Sequence, residues 1–268
     1  MLDVSQVSHS YAAGGRLWRK PAIPVLQDIS FTLEPGMCLG LLGVSGTGKS
    51  TLGKIILGLQ RPTSGQVSFA GQDWYARDRR VRHRMRREVQ AVFQDCYSAV
   101  NPLMSAAQII GEPLRNYERL SALEQKRRVA ELLEQVGLQA SDADKRPAAF
   151  SGGQLQRINI ARAIALHPKL IVLDEAISSL DMVNQTQILA LLSQLRADHG
   201  MSYLFITHHI QAALTISDRM LVMDKGQIVC TADSAAALMS SPHPAVQQLI
   251  AARLPEHPSQ RLDWSSET

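Results

Sequence analysis

The sequence predicts an α/β fold, and two observations carry that prediction. An apolar segment at 37–43 (MCLGLLG) runs into a glycine-rich loop, which a helix-compatible stretch (STLGKIILGL) follows. Beyond residue 155, helical patterns alternate with three short apolar segments, LIVLD, YLFIT and MLVMD. A buried strand, a glycine loop and a helix in that order, followed by such alternation, are typical of an α/β nucleotide fold.

The N-terminal segments predict further β-structure. Residues 2–7 alternate weakly between apolar and polar side chains, and residues 25–33 (VLQDISFTL) alternate more clearly. The EPG at 34–36 marks a turn, and TSGQVSFAG at 63–71 indicates another turn and strand. The first 70 residues are therefore expected to be rich in β-strands.

The middle of the chain is predicted to be helical. Residues 123–138 (LEQKRRVAELLEQVGL) place apolar side chains at helical spacing with charges between them, and Gly137 lies near the end. Before this segment, residues 77–87 (RDRRVRHRMRR) contain seven arginines. We interpret this run as a solvated helix face. Nucleic-acid binding is the alternative, although no aromatic residues interleave the run as stacking platforms.

Composition excludes several classes of protein. The chain has 268 residues, a formal net charge of +4 and 45% hydrophobic residues, which excludes a disordered or fibrous chain. Cys38, Cys96 and Cys230 lie too far apart to suggest a disulfide framework or a zinc module. The N-terminus lacks a secretory signal pattern, and no apolar run approaches the roughly 18 residues that cross a bilayer. We therefore expect a soluble intracellular protein, whose pI near 9.1 leaves nucleic acid or a membrane surface open as a partner.

The glycine-rich loop fits the pattern G-x-x-x-x-G-K-[ST] in full. Its glycines let backbone N–H groups turn toward phosphate oxygens, and the following helix adds its positive end. Lys49 supplies a charge to the β- and γ-phosphates, and the hydroxyl of Ser50 can coordinate Mg²⁺. The predicted nucleotide-binding residues of this segment are Gly43, Val44, Ser45, Gly46, Thr47, Gly48, Lys49, Ser50 and Thr51.

Two carboxylates complete the prediction of an NTPase. The apolar segment LIVL at 170–173 delivers Asp174 and Glu175 at its carboxyl end, where ligands bind in open α/β sheets. Asp174 suits the Mg²⁺ shell, usually through water. Glu175 is placed to polarise an attacking water as a general base.

The segment FSGGQLQR at 150–157 resembles the signature of ABC-transporter ATPases. Other elements of that family follow in order. Gln94 in VFQD resembles the Q-loop, SSLD at 178–181 the D-loop, and His208 in ITHH the switch histidine. Tyr11 resembles the aromatic residue that stacks on adenine, and Trp18 is its rival. The resemblance covers about 230 residues, and six motifs in order make it specific.

This resemblance implies ATP and Mg²⁺ as cofactors and a head-to-tail pair of subunits. Each ATP is expected to lie between the phosphate loop of one subunit and the SGGQ of the other, so one copy of each motif makes this chain half of a dimer. The implied catalytic residues are Glu175, His208 and Gln94. The implied Mg²⁺ ligands are Ser50, Gln94 and Asp174. The implied nucleotide contacts beyond the loop are Tyr11, Asp174, Ser151, Gly152, Gly153, Gln154 and Asp181.

The implied architecture is a P-loop NTPase cassette with a RecA-like core, an antiparallel β subdomain and an inserted helical subdomain. We expect an ATP-binding domain at 1–232, with its α/β core at 1–94 and 156–232 and the helical subdomain at 95–155. Residues 233–268 are expected to form a tail rich in alanine, serine and proline.

Two positions depart from the wider family. Ala176-Ile177 stands where Pro-Thr is more usual, and His209 stands where Asp is usual. Neither departure removes a catalytic atom. Three segments resemble those of the second ATPase subunit of nickel-import systems, within the peptide/nickel importer group: VFQDCYSAVNP, DKRPAAFSGGQLQR and DEAISSLD. Ala after the catalytic Glu is common in that branch, and Ser-Pro-His-Pro at 241–244 is similar to its tail motif.

The narrower resemblance implies partners and a place in the cell. We expect a second ATPase subunit (a paralogue, with an identical chain as the alternative), two membrane permease subunits and an extracytoplasmic binding protein. No nucleic acid is expected, and the subunit should lie peripherally at the cytoplasmic face of the inner membrane. Nickel or a metal–metallophore complex is the implied substrate, and a short peptide remains open.

Two other classes of function are the competing hypotheses. A soluble ABC ATPase acting on nucleic acid has only the basic run at 77–87 in its favour. A nucleotide-operated scaffold without turnover is opposed by the presence of Glu175 and His208. The scattered histidines offer no helical pair with carboxylates, so we expect no transported-metal site on this chain.

Overall fold

The computed structural model describes residues 1–11 and 22–252, which contain ten strands and nine α-helices. The strands are β1 (Leu2–Tyr11), β2 (Ile23–Leu33), β3 (Cys38–Leu42), β4 (Ser64–Phe69), β5 (Gln72–Asp73), β6 (Val89–Phe93), β7 (Leu170–Asp174), β8 (Ser202–Thr207), β9 (Arg219–Asp224) and β10 (Gln227–Ala232). The helices are α1 (Lys49–Ile56), α2 (Arg79–Glu88), α3 (Ala106–Tyr117), α4 (Ala122–Gln135), α5 (Gly152–Ile164), α6 (Met182–His199), α7 (Ile210–Ile216), α8 (Ala235–Met239) and α9 (Pro244–Ala251).

The strands form two sheets of different kinds. The N-terminal sheet is antiparallel, with the order β2-β1-β4-β5. The central sheet has the order β10-β9-β3-β8-β7-β6, and every pairing in it is parallel except that of β10 with β9. The predicted α/β class and the predicted β-rich N-terminus are both confirmed.

Alternate residues of the central strands face two different cores. On β7, Ile171 packs in a cluster with the helices that follow α2, whereas Val172 packs toward α1 and the antiparallel sheet. On β8, Phe205 packs in the first of these cores and Leu204 in the second. Because both faces are covered, these strands are apolar throughout, as the sequence of a parallel sheet requires. All three apolar segments that the sequence predicted as strands are confirmed, as β7, β8 and β9.

Helices α3, α4 and α5 pack against one another beside the sheet, with two short 3-10 turns between α4 and α5. Helix α4 confirms the helix expected at 123–138, and Gly137 follows it with φ +74°, a conformation that favours glycine. Helix α5 also contacts β6. The predicted domain boundaries stay predictions. The predicted boundary at 155/156 falls within α5.

Helix α2 contains most of the arginine-rich run. Only Met85 is buried on it, and Asp78 caps its first turn by accepting a hydrogen bond from the backbone N–H of Arg80. Strand β10 and helices α8 and α9 were not anticipated from the sequence. Within residues 1–11 and 22–252, none of the helices is both long enough and apolar enough to cross a membrane.

Candidate nucleotide site

The glycine-rich loop joins β3 to α1, and its backbone requires glycine. Gly46 and Gly48 have φ of +85° and +101°, in the left-handed region. A Cβ added to Gly43 would lie 2.5 Å from the carbonyl oxygen of Met223, which is closer than atoms can approach. Gly48 is the N-cap of α1 and has no side chain to cap it. The first N–H groups of α1 are therefore not capped by their own N-cap side chain, which suits an anion.

Lys49 is buried at the start of α1, and its ammonium group is held by the loop. Nζ donates to the carbonyl oxygens of Gly43 at 2.6 Å and Val44 at 2.9 Å. Burial lowers the pKa of Lys49, while the carboxylates of Glu175 and Asp174 act in the opposite direction. The cation is thus positioned inside the loop by groups that can only accept hydrogen bonds.

Ser50 and Asp174 bring two oxygen ligands together. The hydroxyl of Ser50 donates to Oδ1 of Asp174 at 3.2 Å, across from α1 to the end of β7. Burial raises the pKa of Asp174, and the hydrogen bond from Ser50 partly offsets that rise. Hydroxyl and carboxylate oxygens are the ligands that Mg²⁺ prefers, so these residues fit the predicted ion.

Glu175 lies one residue beyond β7 in a left-handed conformation, with φ +52°. Its backbone N–H donates to the carbonyl oxygen of Ile206 on β8 at 2.9 Å. Its carboxylate accepts a hydrogen bond from the hydroxyl of Ser178 and lies 3.0 Å from Nδ1 of His208. A non-glycine residue with this backbone is uncommon, and such strain concentrates at functional sites. The structure thus holds the carboxylate through two side chains, while β8 holds the backbone of the same residue.

One cavity of about 320 Å³ collects Lys49, Ser50 and Glu175, whereas Asp174 is not part of its lining. Its lining comprises Val25, Ser45, Gly46, Gly48, Lys49, Ser50, Thr51, Gln94, Glu175 and His208. The exposed Gln94 follows β6, and its carbonyl oxygen accepts a hydrogen bond from the hydroxyl of Ser179 at 3.1 Å. The structure therefore brings together all three residues that the sequence singled out as catalytic. Val25 of β2 is a lining residue that the sequence did not indicate.

Tyr11 lies near this cavity without lining it. Its hydroxyl donates to Oε1 of Gln60 at 2.9 Å and lies 3.4 Å from Oγ1 of Thr51. Its side chain is 41% exposed, which leaves ring surface available to a planar ligand. Trp18, its rival from the sequence, lies outside the described residues.

The SGGQ segment does not line the cavity either. Ser151 is the N-cap of α5, and it forms a reciprocal capping box with Gln154, with hydrogen bonds of 3.3 and 3.0 Å. Ser151 and Gln154 are exposed, whereas Gly153 is buried. A Cβ on Gly153 would lie 2.4 Å from Oδ1 of Asn184, so glycine here permits close packing of α5 on α6.

Asp181 lies beside the SGGQ segment at the start of α6. Its carboxylate accepts hydrogen bonds from the backbone N–H of Asn184 at 2.9 Å and from its side chain at 2.6 Å. These bonds lower the pKa of Asp181 below its ordinary value. The side chain at 184, which packs on Gly153, is thus also fixed by Asp181. This second group of predicted residues forms one surface, separate from the cavity lining.

The sequence analysis did not identify two buried polar side chains that hydrogen-bond to the backbone beside the cavity. Gln156 and Asn159 of α5 are both 1% exposed. Nε2 of Gln156 donates to the carbonyl oxygen of Ala176, next to Glu175, and Nδ2 of Asn159 donates to that of Cys96, near Gln94. Their positions in the sequence could have indicated this role, because they fall on the buried face of the helix that follows SGGQ. Buried amide side chains need hydrogen-bond partners.

The departures from the family pattern are accommodated. Ala176 and Ile177 are buried against the helical side of the sheet. His209 is the N-cap of α7, and its backbone N–H donates to Oγ1 of Thr207 at 3.0 Å.

The site combines a glycine-rich loop, a buried lysine and two carboxylates at the end of the parallel strand β7. These features define an NTP-binding protein of the phosphate-loop class. Comparison with known proteins gives the particular family. Residues 26–178 match the ABC transporter family, and the chain belongs to it. It has the ABC cassette fold and is an ATP-binding, ATP-hydrolysing subunit.

Several relatives cover most of the chain. Nickel import ATP-binding protein NikE of Brucella suis biovar 1 is 46% identical over 264 residues, which is 97% of both chains. NikE of Escherichia coli K12 is 44% identical over 231 residues, 86% of both.

Solved structures agree with the fold. The cassette MJ0796, determined as a dimer in a post-hydrolysis state bound to ADP and Pi, superposes with a TM-score of 0.76 at 28% identity, covering 87% of this chain and 98% of that one. CbiO1 from Clostridium perfringens, part of the ABC transporter complex cbiONQ, gives 0.78 at 25% identity, with 89% and 90% covered.

Proposed function

We propose that this chain is the ATP-hydrolysing subunit of a nickel importer. The observation that carries the proposal is the cavity in which the phosphate loop, Gln94, Glu175 and His208 meet, in a chain 44–46% identical to nickel import ATP-binding proteins. ATP is the substrate of the cavity, and metal import is the process that its hydrolysis drives.

The residues of the cavity divide the chemistry among them. The loop amides and Lys49 bind the phosphates, which fixes the γ-phosphate and stabilises charge that develops on it. Glu175 accepts a proton from the attacking water as general base. Ser178 and His208 position its carboxylate, and Gln94 contributes a polar side chain on the opposite wall. Tyr11 stacks on the adenine base.

Ser50 and Asp174 would hold Mg²⁺, with Gln94 as a further ligand. The ion would supply positive charge that neutralises the phosphate oxygens. The Ser50 hydroxyl and the Asp174 carboxylate, 3.2 Å apart, would together offer two oxygen ligands to the ion. Ionised Asp174 is favoured by a cation, which offsets the effect of burial on its pKa.

A second ATPase subunit completes the site. Ser151, Gly152, Gly153 and Asp181 lie at the N-termini of α5 and α6, on a surface separate from the cavity lining. Helix N-termini favour anions, so this surface is suited to the γ-phosphate of ATP held by the partner. Met182 and Val183, 78% and 68% exposed, adjoin Asp181 and would be covered by such a partner. The partner is expected to be a paralogue.

A groove of about 350 Å³ is suited to the membrane permease. It lies between the end of α1, β6 and α3, and it combines apolar side chains with both signs of charge. Its lining comprises Leu57, Leu59, Arg86, Val89, Gln90, Ala91, Phe93, Glu112, Pro113, Asn116, Tyr117 and Arg162. Because Phe93 precedes Gln94, a permease segment seated here would communicate with the nucleotide. The subunit would then lie at the cytoplasmic face of the membrane.

Nickel itself is not expected to bind this chain. Among residues 1–11 and 22–252, no group of three or more His, Cys, Asp or Glu side chains could hold a metal ion. From the family resemblance, we assign selection of the cargo to the extracytoplasmic binding protein and the permease.

The test is substrate-stimulated ATP hydrolysis by the reconstituted complex. The chain is co-expressed with its permease subunits, second ATPase and binding protein, and ATP hydrolysis in proteoliposomes is measured with nickel, with other divalent metals, with metallophore complexes and with dipeptides. Stimulation by nickel alone or in a complex, absent in the Glu175→Gln variant, is the expected result. Stimulation by dipeptides only would replace nickel with peptide as the cargo.

A further inference from the structure

A second cavity, of about 210 Å³, lies apart from the nucleotide site and is lined by three arginines. Arg61 comes from the chain after α1, and Arg82 and Arg86 come from one face of α2, four residues apart. Gly58, Trp74, Tyr75 and Met85 complete the lining, which contains no carboxylate. Arginine is never deprotonated in proteins, so the three charges persist at every physiological pH.

The arginines of this cavity have no acidic partner among the described residues. The ion pairs of the region go elsewhere: Arg87 pairs with Glu118 at 3.0 Å, and Lys169 pairs with Glu88 at 3.1 Å. Besides Glu88, the carboxylates near these arginines in sequence are Asp73 and Asp78, which accept hydrogen bonds from backbone N–H groups two residues ahead of them. Repulsion among three uncompensated charges around one small cavity is relieved most simply by an anion.

The aromatic walls of the cavity are held in place, and Arg61 and Arg86 beside them are exposed. Trp74 is 5% exposed and packs edge-on against Phe69 at 6.0 Å. The hydroxyl of Tyr75 lies within hydrogen-bond distance of the carbonyl oxygens of Ile55 and Gln60, to either of which it can donate, and its ring lies 5.8 Å from the Arg61 guanidinium. Helix α2 is fixed by the buried Met85 and by stacking of His83 on Tyr117 at 4.5 Å.

The size and chemistry of the cavity select the ligand. A volume of about 210 Å³ exceeds the roughly 30 Å³ share of one water several-fold, so a small oxyanion can enter. Guanidinium forks match the oxygens of phosphate in pairs, which favours phosphate over halide. We propose that Arg61, Arg82 and Arg86 form a binding site for a phosphate group, distinct from the ATP site.

The neighbourhood indicates a lipid headgroup as the first source of that phosphate. Arg86 lines both this cavity and the groove assigned above to the permease. If the permease occupies that groove, the arginine cavity faces the same membrane, where the anionic leaflet attracts basic segments by about 1 kcal/mol per residue. The choice of lipid rests on the proposed function, whereas the phosphate site does not.

The experiment compares two variants of the full-length chain that lose equal charge. The site variant carries Arg61→Gln, Arg82→Gln and Arg86→Gln. The control carries Arg77→Gln, Arg79→Gln and Arg80→Gln, which alter exposed residues of the same basic run outside the cavity. Sedimentation with vesicles of phosphatidylcholine, with and without phosphatidylglycerol, measures lipid binding. Calorimetry with inorganic pyrophosphate, with the ATP site filled by a non-hydrolysable analogue, measures a soluble source.

The expected result is binding to phosphatidylglycerol vesicles that weakens about tenfold more in the site variant than in the control, because the general attraction of about 1 kcal/mol per arginine is lost equally in both. Pyrophosphate binding lost only in the site variant, without vesicle binding, supports the site and assigns it a soluble ligand. Equal losses in both variants, or no binding by the native chain, overturn the proposal. So does RNA binding lost in the site variant when vesicles and pyrophosphate do not bind.

Two further measurements keep the outcome interpretable. Binding of ATP by the isolated chain is expected to be equal in all three proteins, since neither set of arginines lines the nucleotide cavity. If the triple variant does not fold, Arg61→Gln alone is used, because Arg61 is exposed. Failure of nickel-stimulated transport with an intact phosphate site would count against the proposed function only.

Discussion

Two glycine-rich segments precede helices in this chain, and they differ in how the helix N-terminus is capped. At α1, the N-cap is Gly48, which offers no side-chain acceptor, and the loop before it curls around the ammonium group of Lys49. At α5, the N-cap is Ser151, which forms a complete capping box with Gln154. The first segment leaves donors for a ligand inside its own subunit, whereas the second is complete as a helix cap and presents its outer surface.

This difference explains why one segment lies in a cavity and the other does not. The loop at 43–50 is surrounded by the carboxyl ends of β3, β6, β7 and β8, from which Gln94, Glu175 and His208 extend. The segment at 151–154 lies beside α6, next to Asp181. In the function proposed above, the loop binds ATP within its own subunit, and the segment at 151–154 contributes to the ATP site of a second subunit.

The largest expected effect belongs to the cavity. Glu175→Gln removes the general base, so we expect ATP turnover to fall by about a thousandfold while ATP binding is kept. Phosphate release and nucleotide binding are measured separately, and gel filtration should show an ATP-dependent dimer that does not come apart. The control is Glu131→Gln, on the exposed face of α4. Undiminished turnover in Glu175→Gln would refute its assignment as the base.

Removing the buried cation should act on binding. Lys49→Ala deletes charge-assisted hydrogen bonds to phosphate worth about 1.5–3 kcal/mol, so the Kd of ATP is expected to rise about 10–100-fold. Lys54→Ala, on the exposed side of the same helix, is the matched control and should change the Kd by less than about threefold. Equal effects of the two substitutions would mean that general charge, and not the position of Lys49 in the loop, attracts ATP.

The chain offers an unusually good control for the second segment, because α3 and α4 begin with the same capping box as α5. Ser105 pairs with Gln108 on α3, and Ser121 pairs with Glu124 on α4. Replacing any of the three cap serines by alanine should cost about 1 kcal/mol of stability. Only Ser151→Ala should also lower turnover, by about tenfold, in the assembled dimer. Equal turnover in all three variants would make Ser151 a helix cap and nothing more.

The residues of the phosphate loop could be predicted from the sequence more completely than the contacts of Glu175. The loop is local: its glycines, lysine and serine are consecutive, so their spacing alone dictates the backbone. The contacts of Glu175 with His208 and of Gln156 with Ala176 join residues that are distant in the chain, and they depend on strand order and helix packing. Tyr11 was named for adenine, but its hydroxyl contacts with Gln60 and Thr51 were not foreseeable, because they need the antiparallel sheet to be placed on α1.

The smallest expected effect concerns stability and tests the electrostatics of the cavity. Burial raises the pKa of Asp174, so in the acid range the native state binds its proton more tightly than the unfolded state does. Stability contributed by this group is therefore greatest below the ordinary pKa of aspartate and falls as pH rises through the raised native value. Asp174→Asn removes that loss, and without nucleotide it should raise the Tm at neutral pH by about 2 °C.

The pKa of Asp95 is shifted in the opposite direction to that of Asp174, which makes Asp95 a useful comparison. Hydrogen bonds from Ser98 and Tyr97 lower its pKa, so its contribution is present above the ordinary pKa of aspartate and is lost as pH falls. Asp95→Asn should therefore leave the Tm unchanged or lower it at neutral pH. Thermal unfolding of both variants from pH 4 to pH 8 decides the matter. If Asp174→Asn destabilises the nucleotide-free chain at neutral pH, then the ionised carboxylate is stabilised there by Lys49 and Ser50 more than burial opposes it, and the cavity is already arranged for a charged Asp174 before Mg²⁺ arrives.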